Sequence, residues 1–129
     1  MATGALTFLF SDIEGSTRLL EALGSAAYTG VLERQAAILR AAFERHGGRE
    51  ENTEGDSFFV VFDSALDAVM AAVEGQLALT AEPWPPSAEV TVRMGLHAGE
   101  ASTSAAGLVG LDVNRAARSR AASRSRTRV

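Results

Sequence analysis

The sequence has no cysteine, no lysine, two histidines and three prolines in 129 residues. Without cysteine there is no disulfide framework and no thiolate metal site. His46 and His97 alone argue against a zinc centre. No apolar run reaches membrane-spanning length, and no charged-then-apolar leader opens the chain, so a soluble, cytoplasmic protein is expected. The absence of lysine leaves arginine as the sole basic residue apart from histidine. Charge is uneven: residues 1–100 carry 15 acids and six arginines, a balance of −9, whereas residues 101–129 carry one acid and six arginines, a balance of +5. Six arginines in the last 15 residues could contact phosphates. The acidic body and the lack of interleaved aromatics argue against a nucleic-acid partner.

What is present is apolar. Hydrophobic residues make up 47% of the chain, enough for one domain with a sizeable core. Leu6–Phe10 reads as a buried strand, and Ser16 or Thr17 can cap a helix running to Leu23. A second helix spans about Ala26 to His46, with Val31, Gln35, Ile38, Leu39, Ala42 and Phe43 at helical spacing. Gly55–Asp56 is a tight-turn signal joining a weak strand, Arg49–Thr53, to "SFFVVF", Ser57–Phe62. A third helix, Ala65 to Thr80, is expected to bury Leu66, Val69, Met70, Val73 and Leu77. After a proline-rich loop, Val90–His97 reads as a strand ended at Gly99, followed by a flexible Ala/Ser/Thr/Gly stretch and a last helix, Val113 to Ala122. This order suits an α/β (α+β) sandwich of ferredoxin-like type: a mainly antiparallel sheet with helices on one face. One domain, residues 1–122, and a basic tail, 123–129, are expected.

Several residues can carry chemistry. Asp12, just past the first strand, and Asp56, in the hairpin turn, could project from one sheet edge. Paired carboxylates are the hard-oxygen ligands Mg²⁺ prefers, with substrate phosphates completing the shell. Turn aspartates are common in loops, and spacing alone favours the turn reading over the metal one. Glu14–Thr17, "EGST", offers backbone N–H groups at a helix start, a place that favours phosphate, although by itself it reads first as a plain helix cap. Asn114 and Arg118 lie at i and i+4 and can reach one ligand. Arg93, on a strand among apolar residues, needs an anionic partner or an exposed side. His97 reads as structural.

Together "FLFSDIEGSTRLLE", "EGDSFFVVF", "VRMGLHAGEA" and "VGLDVNRAAR" resemble, in order, the catalytic domain of bacterial-type class III adenylate/guanylate cyclases over roughly residues 5–120. The resemblance implies a homodimer with interfacial active sites. It implies two Mg²⁺ or Mn²⁺ per site, held by Asp12, Asp56 and the Ile13 carbonyl, with Gly15, Ser16 and Thr17 near the nucleotide phosphates. Asn114 and Arg118 match the pair that orients the ribose and stabilises the transition state from the other subunit, and Arg93 matches an arginine associated with phosphate contacts. The implied reaction is attack of the ATP 3′-hydroxyl on its own α-phosphate, giving cyclic AMP and pyrophosphate, with ATP preferred over GTP. The sequence departs from the family at two base-reading positions. Asn52 stands where a lysine is usual and Gly107 where an aspartate is usual, and a lost buried base contact costs about 1–3 kcal/mol. The family also continues past the "NRAAR" helix with strands and a phosphate-binding lysine that this sequence lacks, so the domain reads as C-terminally truncated. The alternative is a degenerate cyclase-like domain that binds nucleotide or a partner without turnover.

Overall fold

The computed structural model describes residues 3–104 and 107–109. The elements in order are β1 (Thr3–Ile13), α1 (Ser16–Leu23), α2 (Ser25–Arg45), β2 (Arg49–Glu54), β3 (Ser57–Phe62), α3 (Ala65–Ala81), β4 (Val92–Ser104) and β5 (Gly107–Val109). The sheet order is β2-β3-β1-β4-β5, and every pairing is antiparallel. The expected sandwich, with its ferredoxin-like strand order, is the fold observed. The expected last helix, with Asp112, Asn114 and Arg118, lies outside the described residues.

β1 and β3 are the central strands, and both their faces are apolar. On one face Leu9 and Ile13 of β1 join Phe58, Val60 and Phe62 of β3 in a core with Leu39, Phe43, Ala72 and Leu79 from the helices. On the other, Leu6, Phe8, Phe10 and Val61 are buried together, with Phe10 stacked on Phe59 at 4.7 Å. A strand covered on both faces reads as a continuous apolar run, which is why "LTFLF" and "SFFVVF" show no alternation. His97 stacks on Phe8 at 6.5 Å, a structural placement.

β2 has little apolar surface and is held from α2. Arg40 donates two hydrogen bonds to the Glu50 carboxylate, at 2.8 and 3.0 Å, and its guanidinium lies 5.2 Å from the Phe58 ring centre. The Arg40 hydrogen bond holds the Glu50 carboxyl below the usual glutamate range, against a smaller opposing effect of burial.

Three expectations are corrected. β1 runs three residues beyond Phe10, so Asp12 sits within the strand, because pairing with β4 continues through Asp12↔Arg93 and Ile13↔Val92. β4 likewise continues past Gly99 to Ser104 and pairs with β5, so the small-residue stretch expected to be flexible is largely sheet. The third correction concerns α3. Its buried face is Ala68, Ala71, Ala72, Gly75 and Leu79, whereas Leu66, Val69, Met70, Val73 and Leu77 are exposed. The helix is apolar nearly all round, so hydrophobicity alone does not orient it. Close approach does: a methyl at Gly75 would stand 3.1 Å from Leu39 Cδ2, leaving room only for small residues. Among the described residues no helix is long and apolar enough to cross a membrane.

Gly48 is packed tighter still, since a Cβ there would meet Phe62 Cζ at 2.7 Å and Val60 Cγ1 at 2.9 Å. Gly48→Ala is therefore expected to lower unfolding free energy by about 1–3 kcal/mol through overpacking. Leu66→Ser, on the exposed stripe, should change it by less than about 0.5 kcal/mol. Urea unfolding of the two variants checks both, and a large loss for Leu66→Ser would contradict the observed orientation of α3.

Candidate functional site

At the end of β1 the chain must leave the sheet and enter α1. Glu14 N–H still donates to the Thr91 carbonyl at 2.7 Å, holding the strand end against the start of β4. Gly15 then takes φ +64°, a left-handed turn that side chains disfavour. α1 begins at Ser16 with no side-chain cap, so neither Ser16 nor Thr17 caps it as expected; Gly15 stands at that position. The Leu19 N–H closes the first turn on the Gly15 carbonyl at 3.0 Å. The amides of the turn before it remain without a capping side chain, the arrangement that binds anionic oxygen.

The β2–β3 hairpin carries its turn to the same place. Asp56 Oδ2 accepts a hydrogen bond from the Ile13 backbone N–H at 2.7 Å, linking positions 43 apart. This follows from β1 pairing with β3 up to Ser11↔Phe58, which sets the hairpin turn beside the β1 terminus. Asp12 and Asp56 are thus brought together by the fold, and Asp56 is anchored by Ile13. Asp56 Oδ1 has no partner among the described residues.

Asp12 is engaged differently. Arg93, its cross-strand partner on β4, donates from Nε to Oδ1 at 2.8 Å and from Nη2 to Oδ2 at 3.0 Å. Opposite charges directly across an antiparallel pair favour this fork. The Asp12 hydrogen bonds raise the Arg93 pKa above its ordinary value; partial burial opposes this, and the charges of Asp12, Glu14 and Asp56 reinforce it. Arg93 therefore has the anionic partner its setting demanded.

Asp12, Ile13, Gly15, Ser16, Thr17, Arg18, Asp56, Ser57 and Arg93 line one open cleft of about 360 Å³. Its charged lining is two carboxylates and two guanidiniums. Asn52 does not line this cleft. It faces Phe59 across the hairpin and lines a neighbouring groove of about 140 Å³ with Phe10, Glu54, Ser57, Phe58 and Phe59. Gly107 begins β5, and Asn114 and Arg118 lie outside the described residues. Sequence reading missed Arg18 and Ser57. The only signal for Arg18 was its third position in a helix whose start was already suspected.

The profile of the Adenylate and Guanylate cyclase catalytic domain matches residues 1–126. The chain belongs to this cyclase family. It is 31% identical over 117 residues to an adenylate cyclase of Neurospora crassa, covering 76% of this chain and 5% of the fungal protein. The cyclase fold recurs in the solved catalytic core of a rhodopsin-guanylyl cyclase with converted specificity in complex with ATPαS. The match has TM-score 0.81 and 22% identity, covering 95% of this chain and 74% of that one. The guanylate cyclase domain of RhGC from Catenaria anguillulae in complex with GTP matches at TM-score 0.78 and 22% identity, covering 93% and 74%.

The Asp12–Arg93 fork is partly exposed, so its energy is modest. A double-mutant cycle with Asp12→Ala and Arg93→Ala, measured by urea unfolding in chelator-containing buffer, should give a coupling of about 1 kcal/mol. A coupling indistinguishable from zero would mean the fork does not hold in solution.

Proposed function

We propose that this cyclase-family domain converts ATP to cyclic AMP and pyrophosphate, by attack of the 3′-hydroxyl on the α-phosphate, at sites shared between two copies of the chain. The observation that carries the reading is the convergence of Asp12 and Asp56 on one open cleft beside an uncapped helix start.

The donor set suits a hard divalent ion. Among the described residues no cluster of three or more His, Cys, Asp or Glu could hold a metal, and Asp12 and Asp56 are two carboxylates at one place. Mg²⁺ characteristically uses one or two carboxylates and takes its remaining ligands from substrate phosphates and water. Asp12, Asp56 and the Ile13 carbonyl would hold Mg²⁺ or Mn²⁺, two per site. Bound there, the ions would lower the pKa of the attacking hydroxyl and offset phosphate charge.

The chain's own residues do the rest. The amides of Gly15, Ser16 and Thr17 meet phosphate oxygens. Arg93 starts on Asp12 and moves to phosphate once Asp12 is otherwise engaged, which preserves its charge-assisted bonds. Asn114 and Arg118, from the second copy, orient the ribose and offset charge developing on the phosphate. Asn52 meets the purine edge with an amide that both donates and accepts. The preference for ATP over GTP follows the activity named for the fungal relative. A second reading, nucleotide binding without turnover, is favoured by Gly107, which offers the base no side chain.

The test is a radiolabelled ATP assay with Mn²⁺. Wild type should form cyclic AMP, and Asp12→Ala or Asp56→Ala should reduce the rate by at least about a hundredfold to a thousandfold. Bound nucleotide with no product at high protein concentration would establish the second reading instead. Arg93 also predicts a binding effect without turnover. Arg93→Ala should tighten Mn²⁺ binding in the absence of nucleotide by up to about tenfold, since Asp12 no longer gives up a charge-assisted fork. Electron paramagnetic resonance titration of free Mn²⁺ measures it, and unchanged or weaker affinity would refute the exchange.

A further inference from the structure

The cleft holds a second guanidinium to which neither the fold nor the family match gives a task. Arg18 is the third residue of α1 and lines the cleft with Asp12, Asp56 and Arg93. Helical side chains lean toward the N-terminus, and this one folds back over the entry turn. A methyl built on Gly15 would stand 3.6 Å from Arg18 Nη2 and 4.0 Å from its Cζ, so the guanidinium lies over the uncapped start of the helix.

Asp12, Asp56, Glu14 and Glu89 line the cleft and groove beside Arg18, yet among the described residues it pairs with none. Both Asp12 oxygens are taken by Arg93, and Asp56 Oδ2 is taken by the Ile13 N–H. Arg18 has no hydrogen bond or ion pair among the described residues, although Glu14 and Glu89 line the groove on its other side. An exposed arginine held over uncapped amides, beside a carboxylate pair already engaged, has donors to spare for an incoming anion. Its planar fork matches two phosphate oxygens at once.

We infer that Arg18 is a polyphosphate-positioning residue: it takes the terminal phosphates of the nucleotide, the part that leaves as pyrophosphate. The assignment rests on the proposed nucleotide site. Asp12 and Asp56 mark the reacting end, at the strand terminus and hairpin turn. Gly15 to Thr17 follow β1 into α1, and Arg18 lines the same cleft from that helix start, over Gly15. Arg93 and Arg18 are the two arginines that line this cleft among the described residues.

The experiment compares binding of three probes by calorimetry with Mg²⁺ present: an ATP analogue with a methylene group between the α- and β-phosphorus, inorganic pyrophosphate, and AMP. Arg18→Ala should weaken the triphosphate analogue and pyrophosphate by about tenfold or more, the weight of one charge-assisted hydrogen bond, and leave AMP unchanged. Arg18→Lys should restore part of the loss. Mn²⁺ affinity without nucleotide should stay within twofold, about 0.4 kcal/mol, of wild type, which separates a phosphate role from damage to the carboxylate pair. Equal affinity of Arg18→Ala and wild type for the analogue and pyrophosphate overturns the inference while leaving the site intact. Equal weakening of all three probes, AMP included, also overturns it, since the effect is then structural. Failure of wild type to bind the analogue at all overturns the nucleotide reading and this inference with it.

Discussion

The hydrogen bond from the Ile13 N–H to the Asp56 carboxylate is the constraint on which the site depends. It fixes the tip of one hairpin to the end of another strand, and so holds two carboxylates together that lie 44 positions apart in sequence. Neither acid is in the core, yet each is positioned by it. β1 is gripped on both faces and by β3 and β4 on either side, so its end is rigid. β3 carries the other half of both apolar layers, so the hairpin turn can hardly shift without breaking them. An anchored carboxylate with one free oxygen is pre-organised for a ligand, and little ordering entropy is left to lose on binding.

The electrostatics of the cleft follow from this closeness. Two carboxylates held side by side repel each other unless something positive joins them. In the described structure the positive charge comes from β4, where Arg93 sits directly across the ladder from Asp12. The fork satisfies both Asp12 oxygens and leaves Asp56 with one. On the proposed reading, the same guanidinium is a stand-in for cationic charge until substrate and metal arrive, and then becomes a phosphate donor. Arginine suits both tasks because carboxylate and phosphate present the same oxygen spacing to its planar fork. A lysine would serve as a point charge but would not hold Asp12 in one orientation.

The sequence made much of the fold legible and less of the site. "LTFLF" and "SFFVVF" declared themselves because double-sided burial leaves no alternation to misread, and Gly55–Asp56 marked the turn between two runs. The face of α3 was not legible. Ranking Leu and Val above Ala and Gly by hydrophobicity picks the wrong side when close packing against Leu39 sets the limit. Strand length was misjudged at both ends of the β1·β4 ladder, because cross-strand hydrogen bonds extend through residues with no strand propensity, Asp12 and Gly99 among them. The pairing of Asp12 and Asp56 could be imagined from their similar local settings. That of Asp12 with Arg93 could not, since it depends on register across 81 positions. The family resemblance supplied roles for both, and the register shows how they meet.

Arg18 shows why such a residue escapes a reading by motif. Its neighbours Gly15, Ser16 and Thr17 draw attention because glycine and hydroxyl residues at a helix start have a mechanism attached. An arginine three positions on looks like ordinary surface charge. Its significance comes from what its neighbours have already spent: Asp12 on Arg93, Asp56 on Ile13, and, among the described residues, no carboxylate bonded to Arg18 itself. The cleft therefore contains one engaged guanidinium and one open one, above amides that no side chain caps.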